Sequence, residues 1–356
     1  MILFENEITE NIMKRKFSLL LFFLVAIFTF SGCSCIGETI LAFNNNFYGK
    51  EGSPNPNYTE TLTYTVTYDD SNEYYQMEES VKTCDMTVSY DNGVFTQTLE
   101  VLSVFPADID SDIKIKTEDK VIYKLTSLLT IDVTYTTSTE TKTESDYVSH
   151  VVYFCNNDLS FAPIKSEMKS LNTFLFFRQE GSHVNTVYNE YWATYNQDSF
   201  TVNGKSIRTA NDLSAEENTH YTENYTFRTI LDNSQLLFVL RNYAVEKGSY
   251  PTIPVKNFNY KKATLLVFTN HNTLDAPVNV DYNGTQVQSL RLSEHEFAVN
   301  STSASGMSQY YFLQNKVDNA PYNALMYRYV EPVIEYDGMR AIGSFDYNLV
   351  KVEISE

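Results

Sequence analysis

The sequence predicts a mainly β protein: one large antiparallel sheet curled into a half-barrel or barrel-like shape, with one or two short helices. Three observations carry this reading. Apolar and polar residues alternate with a period of two in many separate runs, the pattern of strands buried on one face. Aromatics make up 14% of the chain and come from 27 Tyr and 23 Phe against a single Trp, and Tyr and Phe suit a pleated, half-buried surface. Gly (12) and Pro (9) are scarce among 356 residues, which argues for a globular body rather than a disordered one. A sheet of so many strands must twist and curl around its own apolar face.

The N-terminus is an address. Lys14-Arg15-Lys16 precedes the apolar run 17–30, and Ser31-Gly32-Cys33 follows; basic region, short apolar region and small-residue cleavage site mark residues 1–32 as a signal peptide. Met13 stands directly before the basic triplet, so residues 1–12 read as an upstream extension that need not be translated. The apolar run is too short to span a bilayer. Phe30-Ser31-Gly32-Cys33 resembles the lipobox of bacterial lipoproteins, although Phe30 stands where Leu is usual and Cys35 is a second acceptor. The resemblance implies cleavage before Cys33 and lipidation of Cys33, and two acyl chains hold a protein where one is marginal. Residues 33–57, with Asn44-Asn45-Asn46 and Gly52-Ser53-Pro54-Asn55-Pro56, form a polar, turn-rich lipidated tether.

Residues 58–356 are the β-rich domain, with two sub-halves that could meet near 205–230. Leu62, Tyr64, Val66 and Tyr68 alternate with Thr61, Thr63, Thr65 and Thr67. The rhythm returns at Leu99, Val101 and Phe105, at Ile131, Val133 and Tyr135, at Tyr147, Val151 and Tyr153, and at Phe345, Tyr347 and Leu349. Asn92-Gly93, Asn203-Gly204 and Asn283-Gly284 lie between such runs and predict tight hairpins, because a type I′ turn needs two residues tolerant of positive φ. Asp232-Asn233-Ser234 followed by Leu236, Leu237, Leu240 and Tyr243 is a capping cluster ahead of helical spacing, and predicts a helix lying against a sheet face. A weaker helical candidate covers 164–176, with Pro163 at its first turn.

Several of these segments together look familiar: the run 147–154, Asp158-Leu159-Ser160-Phe161-Ala162-Pro163-Ile164-Lys165-Ser166, the run 232–241, Ser308-Gln309-Tyr310-Tyr311-Phe312, and Gly343-Ser344-Phe345-Asp346-Tyr347-Asn348-Leu349. Their order resembles that of a bacterial envelope family, the domain of unknown function numbered 3108. The resemblance implies a curled, half-barrel-like sheet akin to those of lipoprotein carriers. It spans residues 60–356, is weakest over 246–306, and brings no functional residues with it.

The net charge of −19 argues against a nucleic-acid partner, which needs clustered Lys and Arg, and leaves membrane attachment to the lipid anchor. No nucleophile elbow, Walker loop, zinc-protease helix or dinucleotide fingerprint is present, which counts against the common enzyme classes. The five histidines (150, 183, 220, 271, 295) show no metal-ligand spacing, and solvent-facing positions are their default. Asp108, Asp110 and Asp112 alternate like a calcium loop, but Ile113 takes the place of the turn Gly. Glu294 and Glu296 flank His295 as a polar strand edge would. Cys84 and Cys155 could form a disulfide or stay as two buried thiols. No cofactor and no metal site is expected. The expectation is an exported, non-enzymatic lipoprotein on the outer face of the cell membrane, or the periplasmic side where there are two membranes. It would bind a lipid, another apolar ligand or an envelope protein. A carbohydrate-binding or adhesive module, resting on Tyr abundance and Trp192, is the alternative, ahead of a hydrolase of envelope polymers.

Overall fold

In a computed structural model of the chain, β1 (Thr59–Asp69) shows the rule that builds the molecule: Leu62, Tyr64 and Val66 are buried while Thr65 and Thr67 are exposed. The structure describes residues 57–70, 85–102, 109, 122–157, 160–176, 182–196, 199–211, 215–224, 230–239, 248–249, 253–256, 264–274, 278–289, 291–299, 308–314, 325–334 and 341–355. All of them fall within one unit spanning Ile40–Glu356. The signal peptide, Cys33 and nearly all of the tether lie outside the described residues, as do Asp108, Asp110 and Asp112.

From β1 the chain runs as an antiparallel meander through β2 (Thr87–Leu102), β3 (Ile122–Thr136), β4 (Thr141–Asn157), β5 (Ser160–Phe176), β6 (His183–Asn196), β7 (Thr201–Ala210) and β8 (Glu217–Asn224), each pairing with the next. β9 (Leu231–Asp232) leads into a 3-10 turn (Asn233–Gln235) and the single helical turn α1 (Leu236–Val239). Then come β10 (Gly248–Ser249), β11 (Ile253–Lys256), β12 (Thr264–Leu274), β13 (Val278–Tyr282), β14 (Thr285–Ser289), β15 (Arg291–Val299), β16 (Ser308–Gln314), β17 (Met326–Ile334) and β18 (Ala341–Ser355). β18 closes back on β1, and the ladder continues β18–β17–β16–β15–β12–β11, all antiparallel. Among the described residues, only the short contacts β9–β11 and β13–β18 are parallel. Together the 18 strands among the described residues form one curled sheet.

The concave side holds the core. Leu62, Tyr64, Phe95, Leu99, Leu125, Val152, Phe154 and Phe161 pack there with Tyr310, Phe312, Tyr347 and Val352 from the far end of the chain. The 232–239 turn drops into the same cluster, with Phe238 at 5.6 Å from Phe154 and 5.5 Å from Phe161, ring centre to ring centre. Each fully buried side chain of this size contributes roughly 1.5–3 kcal/mol. The turn is capped as the sequence predicts: the Asp232 carboxylate accepts from the backbone N–H groups of Ser234 and Gln235, and Asp232 N donates to Gln235 Oε1 at 2.9 Å, the last two bonds forming a reciprocal box.

Elsewhere the structure corrects the sequence reading. Residues 164–176 are strand, not helix, because Ile164, Ser166, Met168 and Ser170 are buried at every second position; two inward serines hide the alternation. Pro163 sits where the β4–β5 register shifts, a place where a missing N–H breaks no ladder. Asn92-Gly93 makes no hairpin but a bulge inside β2, where the register with β3 skips between Asp91 and Val94 and Asn92 takes φ 54°. Asn203-Gly204 lies within β7, paired to Thr194 and Ala193, and the Tyr221 ring of β8 covers Gly204 so closely that a Cβ there would lie 2.2 Å from it, a cross-strand pairing that shields the bare backbone. Asn283-Gly284 is a two-residue hairpin between β13 and β14, with φ of 50° and 77°. In β4, Tyr147, Val151 and Tyr153 form the half-buried outer row, while Val152 and Phe154 fill the interior.

Candidate ligand cavity

A row of residues that face one another across four strands interrupts the apolar lining of the concave side. Gln97 of β2 pairs with Ser127 of β3, Ser127 with His150 of β4, and His150 with Met168 of β5. The rows on either side are apolar: Phe95, Leu129 and Val148 on one, Leu99, Leu125 and Val152 on the other. Gln97 Nε2 donates to Ser127 Oγ at 3.4 Å, both side chains being buried. The three residues therefore make a narrow polar strip on an apolar floor.

Above this floor lies a cavity of about 220 Å³, reached by Gln97, Ser127 and His150 from below and roofed by Asn233, Ser234, Leu236 and Leu237. Its far wall is a tyrosine ladder contributed by the last three strands. Tyr310 and Tyr329 stack at 4.5 Å and 21°, Tyr329 and Tyr347 lie at 5.0 Å and 32°, and Phe95 meets Tyr347 edge-on at 5.6 Å and 88°. The three tyrosine rings make this side of the lining aromatic, and aromatic rings favour offset-stacked or edge-to-face contacts.

The electrostatics are those of a neutral site. His150 lines the cavity and is half-buried; burial pushes its pKa down to about 4, opposed by the nearby Asp232 carboxylate, so the imidazole is uncharged at neutral pH. Asp232 is fully buried, and its carboxylate accepts from Ser234 N at 3.0 Å, Ser234 Oγ at 2.6 Å and the Tyr195 hydroxyl. With the Gln235 backbone N–H of the capping box, that commits all of a carboxylate's roughly four lone-pair sites, so Asp232 serves the helix cap and Tyr195. Burial is also the first cause raising the Tyr195 pKa, with Asp232 adding to it. Among the described residues, no Lys, Arg, Asp or Glu lines the cavity and no cluster of His, Cys, Asp and Glu could hold a metal ion.

The residues singled out in the sequence fare differently. Cys155 is buried beside Ile122, Ala162 and Ile164, its Sγ 3.8 Å from the Ala162 carbonyl oxygen; Cys84 lies outside the described residues. His183 and His220 are exposed as expected, whereas His150 turns inward to the cavity. His271 and His295 lie in β12 and β15, their side chains, like those of Glu294 and Glu296, outside the description. Trp192 stands apart from the cavity, with the Lys205 ammonium 5.3 Å from its ring centre. Tyr310 and Tyr347 stand in the sequence as strand residues only, and nothing local marks Gln97, Ser127 or Tyr329 beyond a lone polar residue on the apolar side of a strand.

No family model matches the chain, so the resemblance to the family numbered 3108 finds no support there, and no curated protein matches. Among solved structures, the chain is similar to a crystal structure of a β-barrel-like protein of the domain of unknown function DUF1849 from Brucella abortus. The identity is 8%, with 85% of this chain and 99% of that chain covered and a TM-score of 0.41.

Proposed function

We propose that this protein is an extracytoplasmic lipoprotein, anchored through Cys33, that binds a small molecule inside its curled sheet and performs no chemistry on it. The observation that carries the reading is the cavity, with its polar strip on an otherwise apolar floor. Few, well-placed polar groups in a largely apolar, concave lining are what small-ligand sites are made of. Its size narrows the sequence expectation. About 220 Å³ exceeds the ~150 Å³ that admits a benzene but falls below the roughly 300–1,000 Å³ typical of pockets for drug-sized ligands, so a small molecule matches the described cavity better than a whole diacyl lipid. The cavity reading draws more support than the carbohydrate one, because Trp192 lies outside the cavity with the Lys205 ammonium over its ring. Envelope-polymer hydrolysis would use paired acids, and none of the described lining residues is one.

The test is native mass spectrometry of the full chain, expressed with export and purified gently, followed by solvent extraction. A stoichiometric co-purifying small molecule is the expected result; a clean apo mass that persists after incubation with membrane extract would overturn the reading. The anchor has its own check: Cys33→Ser should abolish acylation and leave the signal peptide uncut, and normal lipidation of that variant would move the site to Cys35 or remove it.

A further inference from the structure

The lining of the cavity constrains what can occupy it, on the reading that it is a ligand site. None of the described lining residues carries a formal charge at neutral pH: the ionisable groups are His150, which burial keeps neutral, and the three tyrosines. Asp232 stands behind the roof with its oxygens taken by Tyr195 and Ser234. A carboxylate or phosphate placed here would give up water, meet no positive charge among the described lining residues and face the Asp232 carboxylate near His150, and an ammonium would exchange its water for a carboxylate whose hydrogen-bonding sites are already filled. A neutral polar group meets the opposite situation. Gln97, Ser127 and His150 lie side by side on adjacent strands, and between an amide, a hydroxyl and a neutral imidazole they supply both donors and acceptors. The strip occupies one row of the floor, with Leu129 and Val148 beside it, and Asn233 and Ser234 add polar groups on the roof, so the cavity reads polar groups along one side of a ligand that runs from strip to roof. The opposite wall supports a ring, because Tyr310, Tyr329 and Tyr347 make an aromatic surface there that favours stacked or edge-to-face contact with another ring.

We propose that the cavity selects an uncharged, ring-sized molecule that sets its hydrogen-bonding edge on the Gln97–Ser127–His150 strip and its ring against the tyrosine wall. Acyl chains and charged headgroups are selected against.

The probes are benzyl alcohol, toluene, benzylamine, benzoate and decanoate, titrated at pH 7 into the full chain in nanodiscs with Leu and Val methyls labelled. The methyls of Leu129, Val148, Leu236 and Leu237 report the cavity directly. Benzyl alcohol should shift these methyls and bind at least about tenfold more tightly than benzylamine or benzoate, which carry the same ring with opposite charges. It should also bind more tightly than toluene, and Gln97→Leu or Ser127→Ala should each erase that preference while leaving toluene binding in place; two variants guard against one failing to fold. Equal or tighter binding of a charged analogue or of decanoate at these methyls would overturn the ligand class while leaving a small-molecule site intact. No shift with any ring probe would also overturn the ligand class, and the co-purification experiment would then decide separately whether the protein binds a small molecule at all.

Discussion

At position 150 the side chain that gives the cavity its polar floor also makes the fold sensitive to acid. His150 titrates near 6.5 when unfolded and near 4 when folded, so between those values the unfolded chain binds a proton that the native chain does not, and stability rises with pH across the window. Its stabilising contribution is complete above pH 6.5 and is lost as the pH falls to about 4; the difference corresponds to about 3 kcal/mol. Asp146 acts with the opposite sign, because burial raises its pKa despite two hydrogen bonds from Thr173. Urea midpoints of wild type and His150→Leu, measured from pH 7 down to pH 4, isolate the histidine: the gap between them should shift steadily in favour of the variant as acid is added. A constant gap would contradict the assignment. Nearby, Tyr195→Phe removes a donor from the buried Asp232 carboxylate and should cost about 1–3 kcal/mol, read as a lowered urea midpoint with an unchanged slope.

The elements show which signals in the sequence translate directly into structure. Gly93 illustrates a signal with two meanings. Its dipeptide suggests a hairpin, but the structure uses it to bring β1 and β2 together at a bulge, where a Cβ would lie 2.3 Å from the Val66 carbonyl oxygen and 2.8 Å from Val66 Cβ. Gly93→Ala should therefore push the two strands apart and cost about 1–3 kcal/mol, seen as faster amide exchange in β1 and β2 than in β6 and β7. An unchanged exchange pattern would show that the strands absorb the extra carbon. The 232–239 turn, by contrast, is legible to the residue, since Asp232 and Gln235 make a cap whose chemistry is entirely local. The strand rhythm of β1, β3 and β18 is legible for the same reason. The cavity is not. Gln97, Ser127 and His150 come from three different strands and are joined only by register, and register is a property of pairs of strands that no single run of residues announces. Segment 164–176 was obscured by the same kind of residue, a small polar group turned inward.

At the scale of the whole molecule, the sheet depends on its last strand. β18 is the partner of β1 along Thr59–Asp69 and of β17 on its other side, and it brings Tyr347, Leu349 and Val352 into the core. It also places Tyr347 in the cavity wall against Phe95 and Tyr329. A chain ending at residue 340 would keep the meander β1–β8 but leave β1 and β17 with unpaired edges and the concave face open. Exposed, long edges of that kind recruit other chains. The loss is also cooperative, because residues far apart in sequence share one apolar cluster. The truncated protein should fail to show a single unfolding transition and should elute as aggregate, whereas Glu353→Ser, which breaks only the exposed Lys351–Glu353 pair at 2.8 Å, should leave the unfolding midpoint and the elution volume unchanged. Near-ultraviolet circular dichroism and size-exclusion chromatography on the two proteins give the comparison. A monomeric, cooperatively unfolding 1–340 chain would mean that the β1–β8 meander is stable by itself and that the β1–β18 closure serves the cavity rather than the fold.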